Sequence, residues 1–158
     1  MMNCDVINIY TDGSCDSNPG GNGGYAAIIF DGVDPIKLSG YEPNTTNQRM
    51  ELLAVIKSLE YFRDPKQIYI YSDSAYVCNC YKNKWYMSWL SNGWVNSKKE
   101  PVANRDLWER FIELVSFHDV EFCKVKGHSN NLLNNECDKM AKEIIQFNKT
   151  IKHLLTVE

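Results

Sequence analysis

Short runs of strand-forming residues fill the first third of the chain, and apolar residues at helical spacing follow them. Residues 6–10 read Val-Ile-Asn-Ile-Tyr and are closed by Thr11-Asp12-Gly13-Ser14, so a first strand is expected to end with Asp12 at a loop. Residues 16–24, Asp-Ser-Asn-Pro-Gly-Gly-Asn-Gly-Gly, predict a turn-rich loop. A second strand covers residues 25–30, Asp31-Gly32 suggests a hairpin, and residues 36–41 pair back as a third strand. Residues 42–46, Glu-Pro-Asn-Thr-Thr, are expected to break the sheet. Leu52, Val55, Ile56 and Leu59 then follow i, i+3, i+4, i+7, an amphipathic helix. Thr45 or Thr46 can cap it, with Gln48 three residues after Thr45 as in a capping box, and Arg63-Asp64-Pro65 ends it.

In residues 67–71, Ile68 and Ile70 alternate with Tyr69 and Tyr71 as a fourth strand. Ser72-Asp73-Ser74 comes next, and either serine or the aspartate can cap a helix from near Ala75. Asn104 is expected to cap a helix with Leu107, Phe111, Leu114 and Val115 as its buried stripe, and residues 120–125 form a fifth strand. The last helix follows Asn134-Asn135. It carries Cys137, Met140, Ala141 and Ile144 on one side and Asp138 in its first turn, and Ile151, Leu154 and Leu155 continue the helical spacing. The order is β-β-β-α-β-α-α-α-β-α, an α/β chain.

Composition narrows this picture without redirecting it. At 158 residues, with 44% apolar and 23% charged residues, the chain is expected to be one domain over 1–158. No apolar run reaches the roughly 20 residues a bilayer requires, and no basic-then-apolar leader opens the chain, so a cytoplasmic location is expected; a monomer is expected as a separate matter. Six cysteines without a CxxC pair read as free thiols in a reducing compartment. A net charge of -3 argues against indiscriminate nucleic-acid binding, so any polyanion site must be local. The glycine-rich stretch is followed by a strand rather than by Gly-Lys-Ser/Thr and a helix, which excludes a phosphate-cradling nucleotide loop of that kind.

Four carboxylates stand out by position. Asp12, Glu51, Asp73 and Asp138 each fall at a boundary or first turn of an element. Singly they read as turn, dipole or cap residues; together they are expected to meet and hold divalent metal, at the carboxyl ends of strands where open α/β sheets place their sites. Residues 81–100 combine Trp85, Trp89 and Trp94 with Lys82, Lys84, Lys98 and Lys99, four lysines that against Glu100 leave a net +3. Indoles inside and lysines outside would make a projection able to grip a nucleic-acid backbone. His128 lies in a polar loop, Lys126-Gly127-His128-Ser129-Asn130-Asn131, where it can shuttle protons near neutral pH.

These stretches in this order resemble the type 1 ribonuclease H family over nearly the whole chain. They are Thr11-Asp12-Gly13-Ser14-Cys15, Asn18-Pro19-Gly20, Thr45-Thr46-Asn47 with Arg49-Met50-Glu51-Leu52, Ser72-Asp73-Ser74 with Tyr76-Val77, Asp106-Leu107-Trp108, Val125-Lys126-Gly127-His128 and Asn135-Glu136-Cys137-Asp138. The resemblance implies a ribonuclease H-like fold, a mixed five-stranded sheet of three antiparallel and two parallel strands flanked by helices. It implies endonucleolytic cleavage of the RNA strand of an RNA–DNA hybrid, leaving 5′-phosphate and 3′-hydroxyl ends. Asp12, Glu51, Asp73 and Asp138 would bind two Mg²⁺, with Mn²⁺ as a possible substitute, and His128 would assist proton transfer or product release. Cys15, Asn18 and Glu51 would face the 2′-hydroxyls of the RNA. Thr46, Asn47 and Gln48 would hold the DNA strand, and Trp85 with Trp89 and the lysines would resemble the family's basic protrusion. Two alternatives share the fold: a hybrid-binding module that does not cleave, and a related metal-dependent DNA nuclease. Two departures matter. Leu90-Ser91-Asn92-Gly93 stands where many relatives carry lysine and arginine, which predicts weaker binding with a shallow salt dependence, and Gln48 replaces a common asparagine.

Overall fold

The computed structural model describes residues 6–32, 34–126 and 131–156. Five strands form one mixed sheet in the order β3-β2-β1-β4-β5. β1 (Val6–Cys15), β2 (Gly21–Phe30) and β3 (Ile36–Thr45) are antiparallel neighbours, while β4 (Gln67–Ser72) runs parallel to β1 and β5 (Asp119–Lys124) parallel to β4. The helices are α1 (Asn47–Glu60), α2 (Ala75–Lys82), α3 (Trp85–Asn92), α4 (Arg105–Phe117) and α5 (Leu132–Thr156).

Strand alternation divides the core between the two faces of the sheet. Ala27 and Ile29 of β2 join Ile7, Ile9, Ile68, Ile70, Val120 and Phe122 in the larger core, against Leu52, Val55, Ile56 and Leu59 of α1 and Trp108 and Phe111 of α4. Ala26 and Ile28 point the other way and pack on Cys137 and Ala141 of α5. No helix among the described residues is long and apolar enough to cross a membrane. The five described cysteines, Cys15, Cys78, Cys80, Cys123 and Cys137, are free thiols.

Several boundaries differ from the sequence expectation. β1 runs on through Asp12, paired with Ala26, as far as Cys15, and β2 already begins at Gly21. The long loop therefore shrinks to residues 16–20. Gly20 stays in that turn at φ 91°, while Gly21, Gly23 and Gly24 lie in β2, where a Cβ would overlap neighbouring atoms. β3 likewise continues through residues 42–44 to Thr45, which pairs with Gly21. Thr46 caps α1 by accepting the Arg49 N–H at 3.1 Å, so the Thr45–Gln48 capping box does not form. Thr45 instead donates its hydroxyl to Glu42 Oε1. Asn104 stands at the N-terminus of α4 in a left-handed conformation without capping it. Its amide donates to the Tyr76 hydroxyl and its oxygen accepts from Arg49. α5 begins at Leu132, so Asp138 sits in its second turn rather than its first, and residues 150–156 continue that helix.

Candidate active site

Two close backbone approaches bring four elements to one point. A Cβ at Gly13 would overlap the backbone of Met50 and Glu51, so only glycine lets α1 press against β1 there. A Cβ at Gly24 would overlap the Ala141 carbonyl, so α5 can close on β2. The first contact carries Glu51 to β1. The second seats the α5 face that bears Asp138 one turn earlier. The parallel ladder between β1 and β4 stops at Tyr10↔Tyr71, and Asp73 emerges just beyond, beside the stretch of β1 that holds Asp12. Ser74, not Asp73, caps α2, its hydroxyl accepting the Val77 N–H at 3.2 Å. The Asp73 carboxylate is thereby left for the cleft.

Asp12, Glu51 and Asp73 each offer an oxygen within 4.8 Å of the others. Asp138 lines the same open cavity of about 410 Å³, together with Asn47, Lys126, Asn134, Asn135 and Lys142. Burial, reinforced by Asp73 and Asp138, pushes the Asp12 carboxyl up from 3.8 to about 7. Burial first, then Asp12 and Asp73, holds Glu51 well above its ordinary 4.5. Glu51 Oε1 is buried and has no hydrogen-bond partner among the described residues. An orphaned carboxylate oxygen beside two more carboxylates is a hard, anionic donor set, the kind that fits a divalent cation coordinated by oxygen.

The pH dependence follows from the sign of these shifts. The Asp12 carboxyl is harder to ionise folded than unfolded. Its contribution to stability is therefore complete below about 4 and is lost as pH rises through about 7, and Glu51 acts in the same direction. Metal-free protein is expected to melt at a lower temperature at pH 8 than at pH 5.5, and a divalent cation should recover the difference at pH 8. A melting temperature that climbs steadily from pH 5.5 to 8 without metal would contradict this.

The other expected site residues divide into groups. Cys15 lines the acidic cavity and points its thiol at the Ser17 and Thr45 carbonyls. Asn18 accepts the Asn47 N–H at 3.2 Å, which joins the 16–20 turn to the start of α1. Thr46, Asn47 and Gln48 sit at that helix end, the last two exposed. Trp85 is exposed, whereas Trp89 packs on Trp94 and on Trp108 of the main core. Lys82, Lys84, Lys98 and Lys99 are all exposed around them. His128 lies outside the described residues. Sequence reasoning missed Lys126, Asn134, Asn135 and Lys142 in the cavity wall. Lys142 was detectable, because it lies four residues after Asp138 on the same helix and pairs with it at 3.1 Å.

Comparison with known proteins bears on the whole arrangement. The family model for RNase H matches residues 5–146. A protein named ribonuclease H from Moorella thermoacetica is 48% identical over 139 residues, 88% of this chain and 91% of that one. Among solved structures, LC9-RNase H1, described as a type 1 RNase H with the type 2 active-site motif, superposes with a TM-score of 0.79 at 23% identity, covering 92% of this chain and 74% of that one. LC11-RNase H1, solved in complex with RNA/DNA hybrid, gives a TM-score of 0.69 at 22% identity over 90% and 98%.

Proposed function

The chain belongs to the ribonuclease H family, and from that premise we propose that it cuts the RNA strand of RNA–DNA hybrids, leaving 5′-phosphate and 3′-hydroxyl ends. The observation that carries the reading is the convergence of Asp12, Glu51 and Asp73 from three separate elements on one point, with Asp138 in the same cavity wall. These four residues would hold two Mg²⁺, or Mn²⁺ in their place. Cations bound there supply an activated water and stabilise the leaving oxyanion of an in-line displacement.

The chain's own residues do the rest. The four carboxylates set the position of the scissile phosphate, and burial of Asp12 and Glu51 keeps the charge that binds the ions out of bulk water. Discrimination between strands would rest on two adjoining strips. The RNA strip is the 16–20 turn with Cys15, Asn18 and Glu51, whose polar groups can meet 2′-hydroxyls that DNA lacks. The DNA strip is the N-terminus of α1 with Thr46, Asn47 and Gln48, where the positive end of the helix dipole and exposed amide side chains favour a phosphate. Support for their cooperation is the Asn18–Asn47 hydrogen bond between them. Trp85, Trp89 and the four lysines extend the DNA side, and His128 carries protons or aids product release. The protein would act as a single-domain monomer in the cytoplasm, where its thiols stay reduced.

The direct assay labels each strand of a hybrid in turn and adds Mg²⁺. Only the RNA is expected to be cut. Cutting of the DNA would favour the DNA-nuclease reading, and binding without cutting the silent module. Log affinity against log salt is expected to be shallow, since Leu90-Ser91-Asn92-Gly93 brings no basic side chain to the protrusion; a slope requiring about six or more phosphate contacts would contradict the depleted protrusion.

A further inference from the structure

α5 continues for about three turns past its last buried residue, Ile145. Lys149, in that extension, lies eleven residues after Asp138 and seven after Lys142. It therefore shares their face of the helix, the face turned to the cavity. Its ammonium meets Asp16 Oδ2 at 2.8 Å. Asp16 in turn accepts the Asn22 backbone N–H at 2.8 Å and the Asn22 amide at 3.3 Å, and the Tyr41 hydroxyl donates to Asn22 at 2.6 Å.

All five residues of the 16–20 turn are exposed, so no buried apolar side chain fixes its position. Polar ties do so instead. On the α1 side, the turn is held by Asn18 to Asn47 N–H and by Gly20 N–H to the Thr45 carbonyl at 2.8 Å. On the α5 side, it is held through Lys149. The helix that presents Asp138 thus also grips the turn proposed to read the RNA strand.

We infer that Lys149 is a positioning residue for the RNA strand, acting through Asp16 to hold the 16–20 turn in register with the acidic cavity. The inference rests on the proposed function above, and it extends the substrate-reading apparatus to a part of α5 beyond the family match. An isolated surface ion pair contributes little to stability. Here the pair ends a network that sets where a turn sits, so its loss shows in substrate binding rather than in melting.

The test compares Lys149→Met and Lys149→Arg in the full chain. Hydrogen exchange at the Gly20 and Gly21 amides reads the turn directly, without any need for activity. Lys149→Met should speed that exchange and raise KM for a hybrid about three- to fivefold, with kcat within twofold and the melting temperature nearly unchanged. Lys149→Arg keeps the pair and should match the wild type in both readouts. Unchanged exchange overturns the inference even if KM rises, because Lys149 would then touch the substrate itself. Faster exchange with unchanged KM also overturns it, as does an arginine variant that behaves like methionine. A wild-type chain that cuts no hybrid sinks the proposed function instead, while the exchange data still decide whether the pair holds the turn.

Discussion

Asp12→Asn is expected to abolish RNA cleavage and at the same time to stabilise the metal-free protein. Asp12 is buried, shares the three-carboxylate cluster and carries a carboxyl pushed up to about 7. Removing its charge takes away a central ion ligand. That costs several kcal/mol of transition-state stabilisation, a rate loss of about 10³-fold or more at 1.36 kcal/mol per decade. The stability change has the opposite sign. Holding the charge in this site costs up to about 4 kcal/mol at pH 8, from a rise of roughly three pKa units. The amide still needs partners for its polar atoms, so the net gain should be about 1–3 kcal/mol, or roughly 2–12 °C in melting temperature. The gain should shrink at pH 5, where the folded wild type has already protonated Asp12. A variant less stable than wild type at pH 8 without metal would show that the cluster is not under electrostatic strain.

Trp108→Ala is expected to produce the largest loss of stability, about 3–5 kcal/mol or roughly 6–20 °C. Trp108 is fully buried. Its ring packs on Phe111, Tyr76 and Trp89 with centroids 5.0–5.4 Å away, and its Nε1–H donates to the Tyr76 hydroxyl at 2.8 Å. Through Trp89 it also supports Trp94, over which the Arg105 guanidinium lies at 4.9 Å. The projection bearing the lysines is thus tied to the main core by a chain of indoles. α3 has no buried residue of its own, so the substitution should loosen it first. Trypsin should then cut at Lys98 and Lys99 faster than elsewhere. A cost below about 1 kcal/mol, or cleavage no faster at those lysines, would show that the projection stands independently.

What the chain disclosed in advance follows from which signals are periodic. Ile68 and Ile70, and Leu52 with Val55, Ile56 and Leu59, declared their elements because burial enforces periods of two and of 3.6, and the structure places them as expected. The path of β1 through Asp12 and Gly13 was hidden. Asp, Gly and Ser are poor strand formers, and only pairing with β2, invisible locally, keeps them extended. Asn104 looked like a cap because asparagine commonly is one, but Tyr76 and Arg49 compete for its side chain. The carboxylates were legible as a set because the sequence pattern put each near an expected boundary, although Asp12 lies within β1 and Asp138 in the second turn of α5. Lys142 was less legible because a lone lysine on a helix is usually a solvated surface charge, although its spacing from Asp138 marks it as a partner. The tie between Lys149 and Asp16 spans most of the chain, and no local pattern signals it.

The clustered carboxylates are expected to be incompletely ionised until a divalent cation joins them. Calorimetric titration of Mg²⁺ or Mn²⁺ into the protein near pH 7, repeated in buffers of different ionisation enthalpy, reads it most directly. Saturable binding is expected, with a heat that varies with the buffer because Asp12 and Glu51 release protons as the ion enters, and with that binding lost in Asp12→Asn. Binding with the same heat in every buffer, or undiminished binding in the variant, would contradict it.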